Sequence, residues 1–459
     1  MISDIPSLLE FDPFAIPYQV QVLWDLKYKF DYTKGKQEIL LSGSVGSAKS
    51  LLMAHIAITH CMENPGAIFL IGRQSMPDLK DTIFKMIIDH MEADLEEGVD
   101  YWVNETRAKI KFKNGSSIIS RSWHDKKFKS KFRSVSISAA AIEELTENED
   151  DYKEFYTELM MRVGRKSIIK ENFVICATNP DSPDHWAYKH FMESDNPNRH
   201  VYYSITTDNP FLPSWYKDSL LEDLDPLMAQ RMVYGKWVRI GEEVIYHSYN
   251  KPVNYRPTSY EINEYAPISI DFDFNIGEGK PMSLCLHQYV GGVFHFFGEC
   301  IVEGARTQDI MEELANRGYL NHNTHYWVRG DATGRSRDTR SIKTDYDIIK
   351  TFLSNYRNKD GLPIRFELDV PRANPPIRAR HNKVNAHMKN ALGHTRLYVY
   401  KDCPTLDEGF RLTKLKKGGH YLEDDSKRYQ HVTTAAGYGI VADLKRSQST
   451  NTFTTRQFR

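Results

Sequence analysis

Between Gln37 and about Pro180, short apolar runs rich in β-branched residues alternate with stretches whose apolar positions recur every three or four residues. Glu38–Ser42, Ala67–Gly72, Ser116–Ser120, Val135–Ile142 and Asn172–Thr178 read as strands. Leu51–Met62 and Met76–Glu97 read as helices. This alternation predicts βαβ units and a mostly parallel sheet, because parallel neighbours need a helix-sized crossover. A Pro- and Asn-rich passage at Thr206–Pro213 is followed by a helical stretch to Gly235. Residues 246–266, with Pro252 and Pro257, lack periodicity and read as a linker. A second series then begins, with strands at Ile268–Phe274, Ser283–Tyr289, Gly292–Ile301 and Thr324–Gly330 and a helix at Thr307–Arg317. Strands in succession before a helix predict a mixed sheet. The chain therefore divides into an α/β domain over residues 1–245, whose 205–245 part is a lid or linker subdomain, and a second α/β domain over 267–444. The Ser/Thr/Gln-rich residues 445–459 read as a disordered tail.

Composition narrows the class. The chain has 459 residues, 41% of them hydrophobic, enough for two cores and too apolar for a disordered protein. Sixty Lys and Arg against 61 Asp and Glu exclude a generally basic nucleic-acid coat, so any phosphate contact must come from local patches. The cysteines, Cys61, Cys176, Cys285, Cys300 and Cys403, are scattered, with no CxxC pair, which argues against a structural zinc or a disulfide framework. No apolar run approaches the ~20 residues of a membrane helix, and the N-terminus lacks a signal-peptide pattern. A soluble intracellular protein is expected.

Gly43-Ser44-Val45-Gly46-Ser47-Ala48-Lys49-Ser50 follows an apolar strand and opens a helix, the context of a phosphate-binding loop. Backbone amides and the helix N-terminus would cradle phosphates, Lys49 would reach the β- and γ-phosphates, and Ser50 would bind Mg²⁺. Ala48 stands where the strict pattern has glycine. An ordinary small-residue turn is the alternative. The run Val135–Ile142 ends in Glu143-Glu144, the form of a site in which Glu143 holds the magnesium shell and Glu144 activates water. A helix start carrying acids for its dipole is the alternative there. Cys176-Ala177-Thr178-Asn179-Pro180 ends another strand, where Asn179 would face the γ-phosphate. Five of the eight residues from Lys126 to Arg133 are cationic, with Phe128 and Phe132 between them. This is either a solvated loop or a DNA-contacting loop whose Arg133 serves a neighbouring copy's ATP.

In the second half, Asp271 and Asp273 alternate onto one strand face, and Asp331 ends another strand. Asp424 and Asp425 precede His431. Carboxylates on separate strand ends can assemble a two-metal site for phosphodiester cleavage, although acids at strand ends are also common turn residues.

In order and spacing these motifs resemble the large subunit of tailed-phage terminase over about residues 12 to 442. Pro17-Tyr18-Gln19 looks like its adenine-recognising segment, with Gln19 the contacting residue. Gly43–Ser50 resembles its Walker A, Ile142-Glu143-Glu144 its Walker B and Thr178-Asn179-Pro180 its coupling motif. Asp271-Phe272-Asp273-Phe274-Asn275, Gly330-Asp331-Ala332-Thr333-Gly334 and the block from His431 to Tyr438 resemble its nuclease motifs, with Asn374-Pro375-Pro376-Ile377-Arg378 joining the last. The resemblance implies a P-loop ATPase domain and an RNase H-like nuclease domain. It implies ATP with Mg²⁺ as cofactors, and Mg²⁺ or Mn²⁺ at the nuclease. Metal ligands would be Ser50, Glu143, Asp271, Asp273, Asp331 and Asp425, and catalytic residues Glu144, Lys49, Arg133, Asp271 and Asp331. It further implies duplex DNA, a small terminase subunit and a procapsid portal as partners, a homo-oligomeric ring, no membrane, and action in the host cytoplasm. Three departures stand out. Val45 takes the place of a frequent Walker A arginine, so Arg133 or Arg73 must supply that charge. The first nuclease acid is either Asp271 or Asp273. Thr434 replaces the usual acid of the last block, leaving Asp425 or Asp424 as the third carboxylate, or a weakened nuclease. A helicase-type translocase with an attached nuclease is the other reading.

Overall fold

A computed structural model describes residues 15–123, 135–147, 149–165, 169–240, 244–275, 280–336, 343–416 and 421–456. It divides into two compact units, Met1–Asp218 with Ala229–Ile240, and Ser219–Met228 with Gly241–Arg459.

The first unit holds an eight-stranded sheet in the order β3-β4-β5-β2-β6-β7-β1-β8. Its strands are β1 (Gln37–Gly43), β2 (Ile68–Arg73), β3 (Tyr101–Asn104), β4 (Lys109–Phe112), β5 (Ser117–Ser122), β6 (Ala139–Ile142), β7 (Phe173–Thr178) and β8 (Arg199–Ser204). All pairings from β5 to β8 are parallel, and only the β3–β4–β5 edge is antiparallel. The central strands are buried on both faces, which is why they read as continuous apolar runs. Ile39, Leu41, Ile71, Ala139 and Ile175 pack against Leu52, Met53 and Ile56 of the helix Lys49–Glu63. The alternate residues Leu40, Leu70, Ala140, Val174 and Cys176 pack with Tyr152, Phe155 and Leu159 of the helix Glu149–Met160.

The second unit holds a mixed seven-stranded sheet in the order β14-β13-β10-β11-β12-β15-β9. Its strands are β9 (Tyr255–Arg256), β10 (Ile268–Asp273), β11 (Met282–Val290), β12 (Val293–Val302), β13 (His325–Gly330), β14 (Arg365–Leu368) and β15 (Leu397–Tyr400). β10 runs antiparallel to β11 and parallel to β13. One face packs Ile268, Ile270 and Phe272 against the helices Thr307–Asn316 and Asp345–Asn355. The other lies under the last helix, Arg428–Arg456, whose Val432, Ala435, Ala436 and Ile440 join the core. The expected fold class, α/β with one mostly parallel and one mixed sheet, is the one observed.

Several local expectations change. The helix expected over Met76–Glu97 stops at Met91 and is interrupted at Lys80–Phe84, where Thr82 leaves helical geometry at φ -113 and ψ -105. The stretch to Gly235 splits into Tyr216–Asp223 and Pro226–Met232. Pro226 cannot continue a helix, and Asp225 accepts hydrogen bonds from the amides of Leu227 and Met228 at the new start. Residues 246–266, read as a linker, contribute β9 and the buried Tyr246 to the second unit, and Asn254 donates to the carbonyls of Met388 and Leu397. The last helix runs through residue 456, into the stretch whose composition suggested disorder.

Gly439 lies inside that helix, and a Cβ on it would overlap the Asp271 carboxylate. An exposed helical glycine is improved by alanine, by ~1 kcal/mol. Here the sign reverses: Gly439→Ala is expected to destabilise the protein by about 1–3 kcal/mol, read from chemical denaturation.

Candidate functional site

Parallel pairing brings the carboxyl ends of β1, β2, β6 and β7 to one edge of the first sheet, and with them Gly43, Arg73, Glu143 and Asn179. Gly43 must stay glycine because Ser204 of β8 occupies the space of a Cβ. The loop then turns through Gly46 at φ 77 and Ala48 at φ 61, so Ala48 does adopt the left-handed conformation that favours glycine. Four successive carbonyls, those of Val45, Gly46, Ser47 and Ala48, accept hydrogen bonds from Thr206, Asn209, Tyr18 and Gln19 at 2.7–3.0 Å. None of these partners lines the cavity of about 270 Å³ enclosed by Val45–Leu51, Met86, Glu143, Glu144, Ala177 and Asn179. The loop is braced from behind and presents its inner side to that space. Gln19, expected at adenine, is buried and spends its amide on Ala48. Ser44 is likewise buried, bonded to Thr206.

Lys49 is held at the carbonyls of Gly43 (2.8 Å) and Ser44 (2.7 Å) and at the Asn179 side chain (3.2 Å). Burial lowers its ammonium to about 8, against the raising charges of Glu144 and Glu143. Glu144 has φ 50, a second left-handed non-glycine residue on the same cavity. Burial raises its carboxyl above the ordinary range, although the charges of Lys49 and Arg73 oppose this. A strained, desolvated acid beside a lysine is a form that functional sites take. The Ser50 hydroxyl and the Glu143 carboxylate share the cavity and are hard oxygen donors suited to one Mg²⁺. Thr178 meets Thr146 at 2.7 Å, tying the Asn179 loop to the segment after Glu144. Sequence reasoning missed Thr82. Its hydroxyl lies 3.1 Å from Glu143 and accepts from Arg73 at 3.2 Å, and Arg73 is 3.7 Å from Glu143. Arg73 thus reaches Glu143, whereas Arg133 and the rest of the basic run from Lys126 lie outside the described residues.

In the second unit the parallel register pairs Phe272 with Gly330, so Asp273 and Asp331 follow each other off adjacent strand ends. Asp273 accepts from Asn275 (2.7 Å) and meets His431 at 3.0 Å. Asp331 accepts from the Thr333 amide and the Asn374 side chain, both at 2.7 Å. Asp271 points to the same sheet face but is 0% exposed. It accepts from Ser269 (2.8 Å) and pairs with His287 (2.7 Å), whose other nitrogen meets Asp443 at 2.7 Å. Arg329 closes this network onto Asp443 and Asp369. Both Asp271 oxygens are engaged and the last helix seals them, so the structure places Asp271 as an anchor and leaves Asp273 beside Asp331.

Asp425 is not brought to these acids: Lys280 and Lys416 pair with its two oxygens. Asp424 caps Ser426. The Thr434 hydroxyl donates to Glu423 at 2.9 Å. Glu423 is also held by Arg380, His381 and Gln430. Burial works to raise the Glu423 carboxyl, but His381 and Arg380 bring it down to about 2. Among the described residues no three of His, Cys, Asp and Glu form a metal-holding group. Asp273 and Asp331 are thus the two acids that this edge brings together among the described residues.

A mostly parallel sheet with a phosphate-loop-like edge, followed by a mixed sheet with acids at its own edge, is the two-sheet α/β fold shared with large terminase structures. Residues 36–242 match the Terminase_3 family model, phage terminase large subunit, and the resemblance seen in the motifs is borne out. A large terminase from a thermophilic bacteriophage is similar in fold, with a TM-score of 0.65 at 16% identity over 94% of this chain and 99% of that one. The same phage protein in complex with ATP-gamma-S gives 0.62 at 15% identity over 93% and 98%. Its ADP complex gives 0.61 at 15% over 93% and 98%. No protein of curated function matches in sequence.

Two expected outcomes follow from this geometry. Ala48→Gly should relieve about 1 kcal/mol of backbone strain and raise the melting temperature, while Ala48→Val should lower it; a lower value for the glycine variant contradicts the left-handed turn. His287 carries the second. Burial disfavours its imidazolium, but Asp271 and Asp443 raise it to about 9. An unfolded histidine titrates near ~6.5, so this stabilisation is complete below that pH and is lost as pH rises through about 9. Melting temperatures should fall across that window, and His287→Gln should be less stable at pH 6 with a flatter profile.

Proposed function

We propose that the chain is the motor and cutting subunit of a phage DNA-packaging machine. ATP hydrolysis in the first unit drives duplex DNA into the procapsid, and the second unit cuts concatemeric DNA with a divalent metal. The observation that carries this reading is the braced loop with Lys49, Glu143, Glu144 and Asn179 around one cavity. The family match over the same residues and the nucleotide complexes of the thermophilic phage protein support it.

In this mechanism Lys49 leaves the Gly43 and Ser44 carbonyls for the β- and γ-phosphates. Its departure frees Asn179 to face the γ-phosphate, and the Thr146–Thr178 contact passes that change to the neighbouring loop. Glu144, with its carboxyl raised by burial, takes the proton of the attacking water. Ser50 and Glu143 hold Mg²⁺, which neutralises phosphate charge when bound. Arg73 supplies charge in the absence of a Walker A arginine, and Arg133 is the candidate to act on a neighbouring copy in the ring. In the second unit Asp273 and Asp331 would hold a divalent metal, which would supply Lewis-acid activation of water for phosphodiester cleavage. His431 orients Asp273. Duplex DNA, a small terminase subunit, the portal and the host cytoplasm complete the setting. A packaging ATPase with a weakened nuclease is the second reading, favoured by the Thr434–Glu423 bond at the expected acid position.

Two assays test the proposal. The chain should displace a third strand from duplex DNA in an ATP-dependent way without unwinding a fork; fork unwinding would favour a helicase. Plasmid cleavage should need Mg²⁺ or Mn²⁺ and fall at least ~100-fold in Asp273→Asn and Asp331→Asn. Asp271→Asn should lower the melting temperature while keeping metal binding. No cleavage by the intact chain, with no metal-induced shift in melting, would establish the weakened nuclease.

A further inference from the structure

A cleft of the second unit beside the paired acids is not used by the mechanism above. Its volume is about 660 Å³. One wall is the face of the last helix carrying Tyr438, Val441, Ala442, Lys445 and Arg446, spaced i, i+3, i+4, i+7, i+8. The opposite wall is the loop after β14, through Pro371 and Pro375. Gly330 is part of the floor.

Two connections tie this cleft to the cutting edge. Gly330 directly precedes Asp331. Asn374, next to Pro375, donates to the Asp331 carboxylate at 2.7 Å and accepts from the Ala332 amide at 2.9 Å. The wall and the metal acid are therefore set by the same side chain.

The chemistry of the lining selects the ligand. Arg329 and Asp369 neutralise each other at 3.1 Å at the base. Lys445 and Arg446, both exposed, lie at the mouth, with the Arg446 guanidinium stacked 3.6 Å over the Trp327 ring. The prolines, Val441 and the Tyr438 ring give flat apolar sides. Cations at the mouth and flat apolar walls inside suit a phosphate-linked base. The volume falls in the range of small-ligand pockets, which admits a nucleotide and not a duplex.

We propose that this cleft takes an unpaired DNA nucleotide flanking the phosphodiester that is cut at Asp331, so that the second unit acts on a locally opened strand, a frayed end or a flipped nucleotide. This rests on the nuclease reading of that edge. Opening the duplex forfeits base stacking, which the cleft offsets by stacking and phosphate contact of its own.

The test is fluorescence anisotropy of the full chain in EDTA, with a labelled 12-nucleotide single strand and the blunt duplex of the same sequence. Ala442→Trp fills the cleft, and Lys445→Glu reverses a charge at its mouth. Neither touches the metal acids, and unchanged ATP turnover and melting temperature check their folding. Each variant should weaken single-strand binding about tenfold and leave duplex binding, which the motor reading also assigns to the first unit, nearly unchanged. Variants that bind the single strand like the parent, or that weaken the duplex as much as the single strand, overturn the cleft. Metal-dependent cleavage measured in parallel separates the two ideas. The expected binding pattern without cleavage supports the cleft and removes the nuclease reading. Cleavage without the binding pattern removes the cleft and keeps the nuclease.

Discussion

Parallel strand pairing is the constraint on which both sites depend. Parallel neighbours send their carboxyl ends to the same edge, so residues far apart in the chain meet there without long loops. In the first unit this gathers Gly43, Arg73, Glu143 and Asn179 from strands separated by up to about 130 positions, as the Lys49–Asn179 contact shows. In the second unit β10, β13 and β14 run parallel, and the ends of β10 and β13 deliver two acids, Asp273 and Asp331.

Each edge is held in place by buried polar bonds a layer behind it. The phosphate loop is braced through its carbonyls by Tyr18, Gln19, Thr206 and Asn209, which stabilises the left-handed turn at Ala48 despite its cost. Behind the second edge, the Asp271–His287–Asp443–Arg329 network joins β10, β11, β13 and the last helix. Removing one partner of such a buried network leaves an uncompensated charge, which costs more than the pair contributes. The charge of Asp271 is thus committed to packing the helix that carries His431 and Tyr438.

Much of the first unit was legible because its signals are local. The apolar strands, the Gly43–Ser50 octet and the Glu143-Glu144 end each sit within one element, and the family match covers them all. The roles of Gln19 and Asp271 were not legible, since which carbonyl Gln19 braces and which histidine Asp271 meets are long-range facts. Period-two alternation put Asp271 and Asp273 on one face but gave no depth along the strand, and depth separates the fully sealed anchor from the acid at the strand end. Short strands at the sheet edge such as β3 and β4 escaped because four residues carry little periodicity. Glu423 was missed because its partners Arg380, His381 and Gln430 come from two other helices.

The central claim is that the braced loop and the strained Glu144 form a site that hydrolyses ATP. The most direct measurement is phosphate release from ATP by the purified chain, with and without duplex DNA, for the parent and Glu144→Gln, alongside nucleotide binding by both. The account predicts turnover that rises with duplex DNA in the parent, and a fall of at least ~100-fold in the variant with nucleotide still bound. Turnover in Glu144→Gln equal to that of the parent would contradict it.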